Sequence, residues 1–268
     1  MIPKSVEEQL LFSTLRLELL SEENKLQCIG TGFLLSAKLN EQQSILLLIS
    51  NKHVLESGKR IRILFHKKSP NDLGPELGRT YEVCLNHTSL LIEHPDPDID
   101  IACLNISYFI NNLLNEIYFK FVDESLLASF DEEELDIAQR VFFIGYPDDR
   151  FDYVHNLPIV RAGIIASHPK IDFNGKKQFI IDAQVFPGSS GSPVIINLTY
   201  ENYKNRIVLG EHKIRLLGIV SATMIRYNQL KALPTNLSNL VSTETIGLGI
   251  VFKCHRRCII DPGATKRN

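Results

Sequence analysis

The residue in this chain best placed to do chemistry is a serine set between two glycines. Gly188-Ser189-Ser190-Gly191-Ser192-Pro193 follows the apolar run Phe179-Ile180-Ile181. Gly188 and Gly191 allow a sharp turn and a close approach of the backbone to a ligand. Such a turn can aim several N–H groups at one point, as a developing oxyanion requires. A serine hydroxyl is a weak nucleophile until a base takes its proton. The motif therefore has chemical meaning only beside a histidine and a carboxylate, and the chain has both. His53 follows the apolar run Ile45-Leu46-Leu47-Leu48-Ile49 through Ser50-Asn51-Lys52. Asp100 follows the turn-prone His94-Pro95-Asp96-Pro97-Asp98 and leads into Ile101-Ala102-Cys103-Leu104. The order His, Asp, Ser is one of several in which such a set occurs on unrelated folds. Asp98 competes with Asp100, because residues two apart share one face of a strand. The apolar Ile101-Ala102 after Asp100 favours the latter.

In this reading Ser190 attacks a carbonyl, His53 serves as general base and then general acid, and Asp100 fixes the imidazole tautomer. The product is a serine endopeptidase. Two alternatives stay open: a catalytically quiet binding or scaffolding module, and an esterase using the same triad. An α/β-hydrolase would need a Gly-x-Ser-x-Gly elbow with its histidine last in the chain. Gly188-Ser189-Ser190-Gly191 has the wrong spacing for that.

The elements that must position these residues read as short apolar strands broken by polar turns. Candidates in the first half are Leu11 to Leu20, Gln27 to Ser36, Ser44 to Ser50, Arg60 to His66, Tyr81 to Leu85 and Ile101 to Ile106. In the second half they are Arg140 to Tyr146, Val160 to Ala166, Gln178 to Ala183, Pro193 to Asn197, Ile214 to Ala222 and Glu244 to Lys253. Many short strands with turn signals between them predict an all-β sandwich or barrel. Between the halves, Leu113 to Phe121 and Asp123 to Asp136 read as a bridge with room for a short helix. Its acidic run, Asp131-Glu132-Glu133-Glu134, is expected to be a solvated face. Tyr200 to His212 reads as an exposed hairpin, and Tyr227 to Ser242 as a polar loop.

These motifs together resemble the trypsin-like (chymotrypsin-fold) serine peptidases, and most closely the HtrA-type branch. Gly30-Thr31-Gly32-Phe33, Ser50-Asn51-Lys52-His53-Val54, Asp100-Ile101-Ala102, Gly145-Tyr146-Pro147 and Gly163-Ile164-Ile165 resemble that family's landmarks. So do Asp182-Ala183-Gln184-Val185-Phe186-Pro187-Gly188-Ser189-Ser190-Gly191-Ser192-Pro193, Leu217-Gly218-Ile219-Val220-Ser221 and Gly247-Leu248-Gly249-Ile250. The likeness runs from about residue 10 to about residue 255. It implies two antiparallel six-stranded β-barrels with the active site in the cleft between them. Residues 1–268 then form one peptidase domain, with an N-terminal barrel at about 8–122, a linker at about 123–138 and a C-terminal barrel at about 139–260. There is no room for the peptide-binding C-terminal domain that HtrA-type enzymes often carry. The resemblance implies an oxyanion hole from the N–H groups of Gly188 and Ser190. It implies a substrate pocket around Gln184, Val185, Ser221, Thr223 and Gly249, with Ser221 also supporting the aspartate. No acid stands where a basic side chain would bind, and Thr223 should narrow the pocket, so small or medium uncharged side chains are expected. The chain departs from the pattern at Ser189, where an Asp would permit the zymogen switch, and at Ser192, a common Gly.

Composition limits the rest. The net charge of −2 gives no strong attraction to nucleic acid or anionic membrane. Apolar residues at 44% and charged residues at 22% argue for a globular chain and against disorder. Met1 to Glu8 lacks the apolar core of a secretory signal, and no apolar run is long enough to span a bilayer. The five cysteines, Cys28, Cys84, Cys103, Cys254 and Cys258, read as free thiols in a reducing compartment, hence a cytoplasmic setting. Cys254-His255-Arg256-Arg257-Cys258 reads as a strand end and not a zinc site, since no second ligand pair has suitable spacing. No metal or other cofactor is expected. The expected partners are a protein or peptide substrate and a regulatory protein that restrains it.

Overall fold

The computed structural model describes residues 2–71, 74–198, 213–229 and 241–254. Its first element comes from a local signal. Ser5 accepts a hydrogen bond from the Glu8 N–H, and the Glu8 carboxylate accepts from the Ser5 N–H. This capping box starts helix α1 (Val6–Ser13). The strand expected from Leu11 therefore begins only at Thr14, where β1 (Thr14–Leu20) takes over.

Eight further strands form the N-terminal half: β2 (Leu26–Lys38), β3 (Ser44–Ser50), β4 (Arg60–Lys68), β5 (Pro75–Asn86), β6 (Leu91–Glu93), β7 (Ala102–Asn105), β8 (Ile117–Tyr118) and β9 (Val122–Asp123). Two short helices interrupt them, α2 (Lys52–Glu56) and α3 (Ser107–Leu113). The strand order is β5-β4-β1-β2-β3-β7-β6, with β8 on β4 and β9 on β2. The expected six-stranded N-terminal barrel is thus a nine-stranded sheet. The additional strands are β6, β8 and β9: β8 lies in the segment read as a bridge, β9 overlaps that segment at Asp123, and α3 ends where it begins.

The C-terminal half matches expectation. Strands β10 (Arg140–Gly145), β11 (Ile159–Ile165), β12 (Gln178–Asp182), β13 (Pro193–Asn197), β14 (Ile214–Gln229) and β15 (Val241–Lys253) close into a six-stranded barrel. β14 and β15 pair as a long antiparallel ribbon out to Gln229 and Val241. The ends of the expected Tyr227 to Ser242 loop are therefore strand. Its middle, the expected hairpin at Tyr200 to His212 and the segment from His255 to Cys258 lie outside the described residues.

Why the apolar runs show little alternation follows from where they pack. Side chains alternate across a strand, but here both faces find an apolar core. In β3, Leu48 enters the interior of the N-terminal half, while Leu47 and Ile49 enter a second core between the halves. In β13, Val194 and Ile196 fill the C-terminal barrel, and Ile195 joins the shared core. The shared core also holds Phe33, Ile101, Ile144, Leu216 and Phe252. The acidic run between the halves is only half solvated. Glu134 pairs with Lys213 at 2.5 Å and Glu132 with Arg215 at 3.4 Å.

Two buried histidines act as neutral struts. His87 bonds through Nε2 to the Leu55 carbonyl at 2.7 Å, bracing α2. His66 bonds through Nε2 to the His155 carbonyl at 2.9 Å and meets the Phe12 ring edge-on. Burial lowers the pKa of both below the ordinary 6.5 and outweighs the carbonyl contacts, which act to raise them. The unfolded chain therefore binds protons below about pH 6.5 that the folded chain refuses, so stability is full above that pH and falls as pH drops through it. Denaturant titrations at about pH 8 and about pH 5 should show the midpoint falling with acid. His87→Gln, which keeps a donor for Leu55, should flatten that fall; an unchanged slope would remove His87 from the account.

Candidate active site

Pairing of β3 with β7 sets Ser50 opposite Ala102, so the chain just past β3 meets the chain just before β7. His53 lies in the first turn of α2, and Asp100 lies two residues before β7. The Asn51 side chain donates to the Asp100 carbonyl at 2.7 Å and ties the two segments together. His53, expected at a strand end, is thus on a helix that is itself anchored.

Three donors converge on the Asp100 carboxylate. The His53 N–H donates to Oδ1 at 3.0 Å, His53 Nδ1 lies 2.6 Å from Oδ2, and the Ser221 hydroxyl donates to Oδ2 at 2.6 Å. Burial pushes the Asp100 carboxyl up, but the bonds from His53 and Ser221 together hold it below the ordinary 3.8. It is therefore ionised at neutral pH and can only accept. Nδ1 must then carry the proton, which leaves the Nε2 lone pair free. Asp98, the competitor, is exposed and donates its N–H to the Asp96 carboxylate instead.

Ser190 lies between β12 and β13 in a turn held from both halves. Thr31 on β2 donates its N–H to the Ser190 carbonyl at 2.9 Å and its hydroxyl to the Gly188 carbonyl at 2.7 Å. The Ser50 hydroxyl donates to the Thr31 carbonyl at 2.7 Å. On the other side, Gly191 N–H donates to the Val220 carbonyl at 2.8 Å. Among the described residues, neither the Gly188 nor the Ser190 N–H donates to the protein. The Ser190 hydroxyl donates to the Ser221 carbonyl at 3.1 Å and not to His53.

Around the expected pocket, Thr223 and Gly249 are register partners across β14 and β15. Val185 is buried in the barrel, and a Cβ on Gly249 would sit 2.6 Å from its Cγ2. Val185 and Gly249 therefore meet on the barrel's inner side, while Gln184 is exposed on the turn. Thr31, Asn51 and Ser50 carry more of the site's architecture than the sequence reading gave them. Their signal in the sequence was a polar residue set between glycines or directly after an apolar run, and the structure buries all three.

Comparison with known proteins comes from two directions. Residues 30–199 match the trypsin-like peptidase domain. Among solved structures, the inactive form of a serine-to-alanine mutant of Rv3671c from M. tuberculosis H37Rv is 16% identical, covers 100% of both chains and superposes with a TM-score of 0.50. The active form of the Rv3671c protease from M. tuberculosis is 16% identical over 91% of this chain and 77% of its own, with a TM-score of 0.47. An inactivated protease paralogue of the scabies mite is 13% identical over 90% of this chain and 89% of its own, also at 0.47. No curated protein matches the chain.

Gly191 has φ +88°, and a Cβ there would overlap the Thr31 carbonyl oxygen. Gly175 also has a left-handed φ, +73°, but faces open space. Gly175→Ala should cost about 1–3 kcal/mol for its backbone conformation alone. Gly191→Ala should cost clearly more, because a buried carbonyl must also move. Thermal unfolding of the two variants tests this; equal costs would mean that the turn is not held against Thr31.

Proposed function

The chain belongs to the trypsin-like peptidase domain family, and from that premise we propose that it is a serine endopeptidase acting through Ser190, His53 and Asp100. The observation that carries the reading is the convergence of His53 and Ser221 on one ionised carboxylate, beside a serine turn whose Gly188 and Ser190 N–H groups have no acceptor among the described residues. Rotation about χ1 frees the Ser190 hydroxyl from the Ser221 carbonyl and turns it to His53. Oγ attacks the scissile carbonyl as Nε2 takes its proton. The carbonyl electrons go to the oxygen, which the Gly188 and Ser190 N–H groups stabilise; one such donor contributes about 3 kcal/mol. The C–N bond breaks as Nε2 returns the proton to the leaving amine. Water repeats the cycle on the acyl-enzyme and releases the acid. Asp100 stays ionised throughout and stabilises the imidazolium.

Gln184, Thr223 and Ser221 line the substrate pocket in this reading, with Val185 and Gly249 shaping its wall from the barrel side. The motif series supports a place near the HtrA-type branch. Cys28, Cys84 and Cys103 are free thiols, and burial pushes Cys103 up to about 12, which makes it inert. They support a reducing, cytoplasmic setting. No helix among the described residues is long and apolar enough to cross a membrane. The substrate is a protein or peptide, and a partner protein supplies restraint. A second reading, the quiet binding module, is favoured by one observation: the Ser190 hydroxyl rests on the Ser221 carbonyl.

An alkyl fluorophosphonate separates the two. A protease should be labelled at Ser190 alone, with labelling lost in Ser190→Ala and His53→Ala. Asp100→Asn should lower turnover by about four orders of magnitude through the wrong histidine tautomer, and Asp98→Asn should cost little. No labelling of the folded protein would favour the quiet module, and labelling that survives Ser190→Ala would end the triad assignment.

Specificity gives an independent check. A Lys or Arg side chain entering this pocket would lose water without gaining a carboxylate. Peptide libraries should therefore show cleavage after small or medium uncharged residues. Gln184→Asp should shift preference toward basic residues, and an active variant with no shift would take Gln184 out of the pocket.

A further inference from the structure

Ser189 stands where an aspartate would let an ion pair order the nucleophile turn, so something else must hold that turn. The turn after β10 does so. Asp148 donates its N–H to the Pro187 carbonyl at 2.6 Å. No peptide bond in the described chain is cis, and in a trans peptide the carbonyl and the N–H point in opposite directions. Fixing the Pro187 carbonyl toward Asp148 therefore aims the Gly188 N–H away from Asp148. Gly188 has φ +84°, and a Cβ there would overlap the Tyr146 carbonyl, so the two turns are in tight contact.

The donor turn is itself under constraint. Asp148 and Asp149 have φ +50° and +55°, two successive left-handed residues that are not glycine. Such a conformation is strained for a residue with a Cβ and persists only when its surroundings impose it. The surroundings are visible. Arg16 on β1 donates from Nε to Asp149 Oδ1 at 2.7 Å. Its side chain is mostly buried, its Nη1 is held by Glu18, and its guanidinium lies 5.3 Å from the Phe151 ring centroid. Phe151 in turn packs on Tyr146, 5.6 Å between centroids. Arg16 is opposite Thr31 in the β1–β2 register, so the same level of the N-terminal sheet grips the nucleophile turn from two sides.

We propose that Arg16 is a positioning residue for the oxyanion hole: through Asp149 it fixes the left-handed turn whose Asp148 N–H orients the Pro187–Gly188 peptide. This rests on the protease reading, since it assigns work to the Gly188 N–H. The pair takes the place of an ordering ion pair within the nucleophile turn. It links β1 of one half to the catalytic turn of the other.

The test is inactivation by an alkyl fluorophosphonate, whose phosphoryl oxygen needs the same hole, resolved into a rate and a binding constant. Arg16→Gln and Asp149→Asn should each slow inactivation by roughly 10- to 100-fold, with the binding constant little changed. The double variant should be no slower than the worse single, as coupled partners require. Arg16→Lys should recover part of the rate by keeping the charge. Arg62→Gln, which breaks the neighbouring pair with Glu18, should leave the rate unchanged. Asp149→Asn decides the matter if Arg16→Gln fails to fold, because Asn tolerates a left-handed backbone. Undiminished rates in both variants, additive losses, or an equal loss in Arg62→Gln would overturn the proposal while leaving the protease reading intact. A wild-type protein with no Ser190-dependent inactivation would overturn both.

Discussion

A single carboxylate governs how this molecule has to be built. Asp100 is three-quarters buried at its side chain, and a desolvated charge is tolerated only with hydrogen bonds to its charged form. The donors come from opposite halves: His53 from helix α2 of the N-terminal half and Ser221 from the C-terminal barrel. Neither half can satisfy Asp100 alone. The shared apolar core then has a second task beyond burial. It holds two sheets in register closely enough for hydrogen bonds of 2.6 Å to form across the seam.

The turn that carries Ser190 obeys the same logic with backbone groups. Thr31 holds it from one half, and Val220 from the other. Tyr146 to Asp149 lean on it from a third side. Glycine at 188 and 191 is required because each neighbour comes as close as a backbone atom can. At position 31 a hydroxyl is required, because the side chain must donate to the Gly188 carbonyl and still accept from the Tyr146 N–H. Thr31 is wholly buried, and its N–H, hydroxyl and carbonyl are all bonded.

Much of this was legible in the sequence, and the residues explain which part was not. Strands β10 to β13 can be read to within a residue at each end, because turn-formers bound each apolar run, whereas β14 and β15 extend past the reading into a polar segment with no apolar run to mark it. The triad candidates can be read because each sits where an apolar run gives way to polar residues. The start of β1 was misread because Leu10, Leu11 and Phe12 suit either element, and the deciding signal was Ser5 with Glu8, several residues upstream. The β8 and β9 segments were hidden because two-residue strands have no period to detect. The Arg16 to Asp149 link has no local signature, since its partners are far apart in the chain and ordinary in type. The same holds for the left-handed pair at Asp148 and Asp149, whose conformation is imposed by what surrounds it.

The division of the site between the halves also sets an order of events during synthesis. A ribosome releases the N-terminal residues first, and domains tend to form as they emerge. His53 and Asp100 can be in place while the serine turn is still unmade. When Ser190 does emerge, the strand that carries Ser221 has yet to follow, and β14 must pair before Asp100 gains that donor. A constellation assembled in this sequence stays incomplete until β14 has emerged and paired. On the proposed protease reading, the nascent chain and its neighbours on the same messenger are spared hydrolysis.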